Sequence, residues 1–432
     1  MRQNVLLVPL LSLAVNAWLP ESSDLAAFNQ TARFEKLGKR FEPSLPDGVT
    51  KIRGVNFGGW LISEPWMMGD HWRVEMGCGD QGTELDCMTN VYGGDNRDNG
   101  NQAFQKHWEE WINPDTVQSV HDVGLNTIRI PIGYWAYSDI VDYDTKPFPD
   151  SGPMLDLLDN VVEKAAELGI YVIIDLHGAP GAQQEDAFTG QTQSPAGFFT
   201  EENFGLAEQW LSWMTTRIHT NDAYRSVGMI QVLNEPVSNH DGDRYPAPGQ
   251  VPGLLESYYP GALAAVRDAE NALQPPVADE SRLHVQFMSE KWGSGDPRTV
   301  PEITADPAVA FDDHNYIGFA LQGADRADQF KLMNLACTDS RLVDGQDFII
   351  AGEWSMTSDV AWQDADFFKK FFTAQQQLYE KPGMAGWIFW TWKTELDDPR
   401  WTYSKATFEN LIPQDAAGLE NNVFQDVCAG FT

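Results

Sequence analysis

The chain has 432 residues, 42% of them hydrophobic, with 29 Lys+Arg against 63 Asp+Glu and a formal net charge of -34 at pH 7. That apolar fraction supports a large core, so one large α/β domain or two medium ones fit the length and a disordered chain does not. The negative balance, with no basic stripe to reverse it locally, repels phosphate backbones and anionic lipid, so neither nucleic acid nor a membrane surface is an expected partner.

From the N-terminus, the first signal is a targeting one. Met1-Arg2, an apolar run over 5–15 and Val15-Asn16-Ala17 supply the charged, apolar and small-residue regions of a secretory leader, with cleavage expected after Ala17. The apolar run is about half as long as a membrane span, and no later stretch is long and apolar enough to cross a bilayer. The expectation is a leader over 1–17 and a secreted domain over 18–432, extracellular or in a cell wall. Asn29-Gln30-Thr31 is a sequon, which makes Asn29 a candidate glycosylation site. Cys78, Cys87, Cys337 and Cys428 are an even number in an exported chain and allow three connectivities. The favoured one joins 78 with 87, closing a short loop inside one insertion, and 337 with 428, tying the C-terminal tail to the body. No Cys-x-x-Cys or His-rich spacing is present, so neither a metal nor another cofactor is expected.

Eight short runs rich in β-branched and aromatic residues read as strands: 51–56, 126–131, 171–176, 229–234, 282–288, 309–314, 348–352 and 386–391. Segments of helical periodicity separate them. One is the stripe Leu155, Leu158, Val162 and Ala165, which stops near Gly169. A repeating strand-helix order with eight strands fits an α/β fold of the (β/α)8 barrel type, with an extended loop over 57–125 after the first strand. No G-x-G-x-x-G or Walker loop follows a strand, so nucleotide chemistry is not expected.

In such a barrel, functional side chains stand at the C-terminal strand ends, where the mouth opens. Those positions carry Arg129 on the second strand, Asp175 and His177 on the third, and Asn234-Glu235 on the fourth. The sixth carries His314 and Tyr316, the seventh Glu353, the eighth Trp387 and Trp390. Strands four and seven face each other across the mouth, so Glu235 and Glu353 can converge on one substrate atom. Paired carboxylates are the apparatus of glycoside hydrolysis, one protonating the leaving oxygen while the other attacks or activates water. Arg129 is the expected charge that keeps one of them ionised, while the less well solvated partner keeps its proton. Trp390 offers a flat face to a sugar ring, and Trp387 reads as core. Trp60, Trp66, Trp292, Trp354 and Trp401 are further candidate sugar faces near strand ends and loops.

The motifs KIRGVNFGGW over 51–60, DLHGAPGAQ over 175–183, Asn234-Glu235-Pro236, His314-Asn315-Tyr316, Gly352-Glu353-Trp354-Ser355 and GWIFWTWK over 386–393 resemble glycoside hydrolase family 5, in its branch of fungal β-glucanases. The resemblance implies a retaining mechanism with Glu235 as acid/base and Glu353 as nucleophile. It also implies that Asn234 contacts the sugar 2-hydroxyl, that Tyr316 hydrogen-bonds the nucleophile and that His314 lies beside the acid/base. Arg129, His177, Glu64 and Trp390 would complete the subsite for the sugar being cleaved. Met76-Gly77-Cys78, Asp86-Cys87, 187–191 (AFTGQ), 292–295 (WGSG) and Trp401-Thr402-Tyr403 are similar to the glucan endo-1,6-β-glucosidases of that branch. A neutral β-1,6-glucan acted on by a monomer is therefore expected, with exo-β-1,3-glucanase action as the alternative. A non-catalytic glucan-binding wall protein is the remote one, since both glutamates are present.

Overall fold

The computed structural model describes residues 51–237, 251–346 and 348–431. The leader and Asn29 lie outside them. Eight strands pair in parallel, in sequence order: β1 (Ile52–Asn56), β2 (Thr127–Gly133), β3 (Tyr171–Gly178), β4 (Val227–Gln231), β5 (His284–Met288), β6 (Val309–His314), β7 (Ile349–Trp354) and β8 (Met384–Phe389). Pairing of β8 with β1 closes the ring, which is the expected barrel.

Side-chain alternation along each strand explains why the chain makes two hydrophobic layers and a polar mouth. On β3, Tyr171 and Ile173 join Ile52, Met229, Ala310, Ile350 and Ile388 in a cluster inside the barrel. Val172, Ile174 and Leu176, on the opposite face, pack with the surrounding helices. Continuing the inward parity upward gives Asp175 and His177, so the same strand that plugs the floor arms the mouth. β6 repeats the pattern with Ala310, Asp312 and His314.

The insertion after β1, expected as a loop, is largely helical: α1 (Glu84–Asn90), α2 (Arg97–Trp111) and α3 (Pro114–Asp122). Thr83 caps α1 by accepting from the Asp86 N–H, and Asn113 and Thr116 form a reciprocal capping box on α3. The outer layer continues with α4 (Ser151–Glu167), α5 (Glu201–Thr220), α6 (Tyr259–Ala272), α7 (Pro301–Ala305), α8 (Gln329–Thr338) and α9 (Ala365–Tyr379), then α10 (Tyr403–Phe408) and α11 (Ala416–Asn422) after β8. On α4 the buried stripe is Met154, Leu158, Val161, Val162 and Ala165; Leu155 sits at its margin, half-buried. Both disulfides form as expected, Cys78 with Cys87 and Cys337 with Cys428.

Two strand ends depart from the expected pattern. Pairing on β4 stops at Gln231, and Val232 to Asn234 run on beyond it, held by Val232 N–H to the Gln286 carbonyl and Asn234 N–H to the Leu176 carbonyl. On β7 the register shifts between Ala351 and Trp354. An irregularity of this kind re-aims side chains: it turns Glu353 toward the mouth and sends Trp354 outward, where it packs on Phe372, Tyr379, Trp387 and Phe389. Trp354 and Trp60, both expected as sugar faces, are fully buried core residues.

Candidate active site

The C-terminal strand ends surround a pocket of about 310 Å³, a volume within the usual range for small-ligand sites. Its floor is Asn234, Glu235, Tyr316 and Glu353; Glu64, His177 and Trp390 form one wall, Trp66, Phe319 and Trp401 another, and Gln184, Asp186 and Phe188 the rim.

The two floor glutamates approach closely: an oxygen of each and a ring nitrogen of His314 lie within 4.8 Å of one another. They are distinguished by their donors. Glu353 accepts from the Arg129 guanidinium at 3.1 Å and from the Tyr316 hydroxyl at 2.8 Å. Glu235 faces His314 Nδ1 at 2.6 Å, and His314 Nε2 faces Asp312 at 3.2 Å. Burial opposes a charged imidazole at His314, but Glu353, Asp312 and Glu235 outweigh it and hold the ring well above its ordinary pKa. Burial also raises Glu353; the His314 charge opposes this, Glu235 adds to it, and Arg129 opposes it.

The solvation order of the pair is the reverse of the expected one. The Glu353 side chain is 7% exposed and that of Glu235 is 14%. The carboxyl beside Arg129 is thus the more buried, and hydrogen-bond donors, not solvation, set the two apart.

Glu235 is presented by a strained backbone. Its φ of 33° is rare for a residue with a Cβ and costs of order 1–3 kcal/mol, which surrounding contacts must hold in place. Gln183 does so, donating from Nε2 to the Asn234 carbonyl at 2.9 Å while its own carbonyl takes the Val237 N–H.

Arg129, expected against the sugar, is instead fully buried beneath the floor, where it also donates to Asn56, Gln231 and Asn234 and pairs with Asp175 at 3.0 Å. Its influence passes through Glu353 and Asn234. His314 likewise stands behind Glu235 and outside the lining. His177, oriented by Asp175 at 2.7 Å, stacks on Trp390 with ring centroids 5.6 Å apart. The small Gly58 lies against that indole, where a Cβ would come within 2.8 Å of it. Glu64 accepts from the Trp66 indole at 2.8 Å, and its buried Oε1 makes no hydrogen bond to the described residues, with His177 Nε2 standing 4.0 Å away. Burial holds the Glu64 carboxyl well above its ordinary pKa, despite the Trp66 bond and with the help of Glu353, Asp186 and Glu235. A carboxyl pushed toward its neutral form, with one oxygen outside any hydrogen bond, is suited to a sugar hydroxyl.

Trp66, Trp401 and Phe319 make the aromatic wall, with Trp401 against Trp66 at 5.3 Å and Phe319 at 6.0 Å. Trp292 is edge-on to His314 at 5.6 Å and donates to the Pro236 carbonyl, a support and not a lining residue. Gln184, Asp186 and Phe319 escape a reading of the sequence, since each lies between strands where no periodicity or strand end marks it; Phe188 is marked only as part of the 187–191 motif. As a metal site the Glu235, His314 and Glu353 group is a poor fit, because the Arg129 guanidinium already pairs with Glu353 and the carboxylates around His314 favour its charged form over a metal-binding one.

Comparisons with known proteins bear on the family and the fold. The family model described as Cellulase (glycosyl hydrolase family 5) matches residues 93–395. Probable glucan endo-1,6-beta-glucosidase B of Neosartorya fischeri is 40% identical over 420 residues, 95% of this chain and 96% of that one. Glucan endo-1,6-beta-glucosidase B of Emericella nidulans is 39% identical, covering 92% of this chain and 94% of its own. Probable glucan 1,3-beta-glucosidase A of Aspergillus fumigatus is more distant at 28%, covering 88% and 90%. Among solved structures, rutinosidase from Aspergillus niger superposes with a TM-score of 0.65 at 19% identity, covering 84% of this chain and 97% of that one, a likeness of fold.

Proposed function

Because this chain belongs to glycosyl hydrolase family 5, we propose that it is a secreted, retaining endo-β-1,6-glucanase, active as a monomer on the neutral β-1,6-glucan of fungal cell walls. The observation that carries the reading is the pair on the pocket floor. An oxygen of Glu235 and one of Glu353 lie within 4.8 Å of each other, and the two carboxyls have different hydrogen-bond donors; this closeness supports the spacing of a retaining pair, about 5–5.5 Å, over the about 6.5–9.5 Å of an inverting one.

In the reaction proposed, Glu353 attacks the anomeric carbon. Arg129 and Tyr316 hold its oxygens and leave a lone pair facing the pocket. The proton for the departing glycosidic oxygen is kept in the short hydrogen bond between Glu235 and His314, with Asp312 behind to stabilise the imidazolium. Glu235 then takes a proton from water, which opens the glycosyl-enzyme ester with net retention. Asn234, fixed by Arg129, reaches the 2-hydroxyl; Glu64, His177 and Trp390 receive the rest of the ring.

The linkage rests on relatives: those near 40% identity are named for β-1,6-glucan and those at 28% for β-1,3-glucan. Secretion is supported by the leader pattern and two disulfides, and no helix of the described residues is long and apolar enough to cross a membrane. The test is turnover of pustulan, a linear β-1,6-glucan, beside laminarin, with product sizes resolved and the anomer of the first product read by NMR. Oligomers of retained configuration from pustulan are expected. Glucose alone from laminarin would establish exo-β-1,3 action instead, and an inverted first product would remove the nucleophile role from Glu353.

A further inference from the structure

Glu84 is a carboxyl with no exposure to solvent, placed at the start of α1 behind the pocket wall. Its Oε1 accepts the Ser63 backbone N–H at 2.7 Å. The Ser63 hydroxyl and the Trp135 indole N–H are nearby donors, but neither they nor Glu84 Oε2 makes a hydrogen bond of ordinary geometry. Burial, only partly offset by those donors, pushes its pKa up to about 8, so it is a neutral acid in acidic and neutral solution. A buried carboxyl with a single hydrogen bond costs stability.

That one bond reaches the substrate side of the mouth. Ser63 immediately precedes Glu64, so the N–H that Glu84 holds fixes the direction in which the Glu64 carboxyl leaves the chain. Trp135 follows β2, and its indole fills the space beside Gly178 and Gly190, where a Cβ would come within 3.0 Å and 2.1 Å of it. α1 itself is tied to the loop that carries Asp186 and Phe188, through the Leu85 N–H to the Gly190 carbonyl at 3.1 Å and Thr192 to Asp86 at 3.0 Å. The Cys78–Cys87 disulfide anchors α1 from its outer side. The start of α1 therefore ties the loop after β1, through the Glu84 carboxyl, to the loop after β3, through Leu85 and Asp86, and that carboxyl does not line the pocket.

We propose that Glu84 is a positioning residue: from behind the wall it holds the Ser63 N–H and thereby sets where the Glu64 carboxyl meets a hydroxyl of the bound sugar. This rests on the pocket being the glucan site proposed above, and the linkage of that glucan does not enter it.

The test is a double-mutant cycle on the whole chain, using whichever of pustulan or laminarin the wild type turns over. Glu84→Asp keeps an acid in the same place but falls short of the Ser63 N–H. It is expected to lower kcat/KM about 10- to 100-fold, as small misplacements of binding groups do. In a Glu64→Ala background the same change should cost less than about twofold, because the group it positions is gone. Glu84→Gln, whose amide oxygen can accept the same N–H, should restore at least half of the wild-type value. Equal losses in both backgrounds would show a general structural role and overturn the proposal, as would full activity in Glu84→Asp or a Glu84→Gln loss as large as that of Glu84→Asp. Should Glu84→Asp fail to fold, Glu84→Gln with and without Glu64→Ala decides the matter: wild-type-like kcat/KM in the single variant supports the proposal and a loss unaffected by Glu64→Ala overturns it. Failure of the wild type on pustulan would overturn the substrate assignment and leave this cycle readable on laminarin.

Discussion

Arg129 touches Asn56, Asp175, Gln231, Asn234 and Glu353 from a position with no solvent access, so one guanidinium aligns much of the pocket floor. Its place and those of its neighbours are legible in the sequence, because His177, His314 and Glu353 fall at ends of strongly patterned strands and Arg129 has the inward parity of β2, although it sits in mid-strand and not at the expected end. The depth of each is not. Pattern places a residue at a strand end; whether it faces substrate or stands behind another side chain depends on packing. The proposed nucleophile gives the sharpest test at this scale. Glu353→Ala should lose at least about 10⁴-fold in kcat, since a residue acting as part of a unit carries the whole reaction with it. Azide should restore turnover by entering the space left and releasing a glycosyl azide. Undiminished activity in the variant would exclude Glu353 as nucleophile.

At the scale of elements, alternation and strand ends make the barrel legible, and the misses sit where a strand is irregular. Parity along β7 from Ile350 through Gly352 points to Trp354 as the inward residue; the register shift makes it Glu353. Close contact at that point also demands glycine, since a Cβ on Gly352 would lie 1.8 Å from an Asp312 oxygen. The insertion after β1 reads as a loop because its helices are short or rich in polar residues, and their caps and the α1 disulfide do what periodicity does elsewhere. The two disulfides differ in reach. Cys78–Cys87 spans 9 residues and Cys337–Cys428 spans 91. By loop-closure entropy they restrict the unfolded chain by about 2–3 and about 4–5 kcal/mol respectively. Replacing Cys337 and Cys428 by Ser should therefore lower the urea midpoint more than replacing Cys78 and Cys87 does. The opposite order would show that strain or residual unfolded structure dominates.

For the whole molecule the net charge of -34 and the buried acids act in the same direction. Glu84, Glu64 and His314 all have folded pKa values above their unfolded ones. Each such group contributes stability that is complete below its unfolded pKa and is lost as pH rises through its folded pKa, at up to about 1.4 kcal/mol per pH unit. Self-repulsion among ionised carboxylates grows over the same range. On the acid side, Asp306, lowered by Arg267 despite its burial, loses its contribution as pH falls through its folded pKa. Thermal unfolding followed across pH should thus show a maximum near about pH 5 and a decline toward about pH 8. A midpoint that climbs over that interval would contradict the placement of these protons.

The aromatic wall has an optical consequence. Most of the described tryptophans are buried, whereas Trp66 is 43% exposed and stands at the pocket opening. A neutral quencher such as acrylamide reaches it first, while iodide is held off by the negative charge of the protein. A sugar chain lying against the wall covers that one indole, so the unlabelled protein reports occupancy of its own cleft in its intrinsic fluorescence.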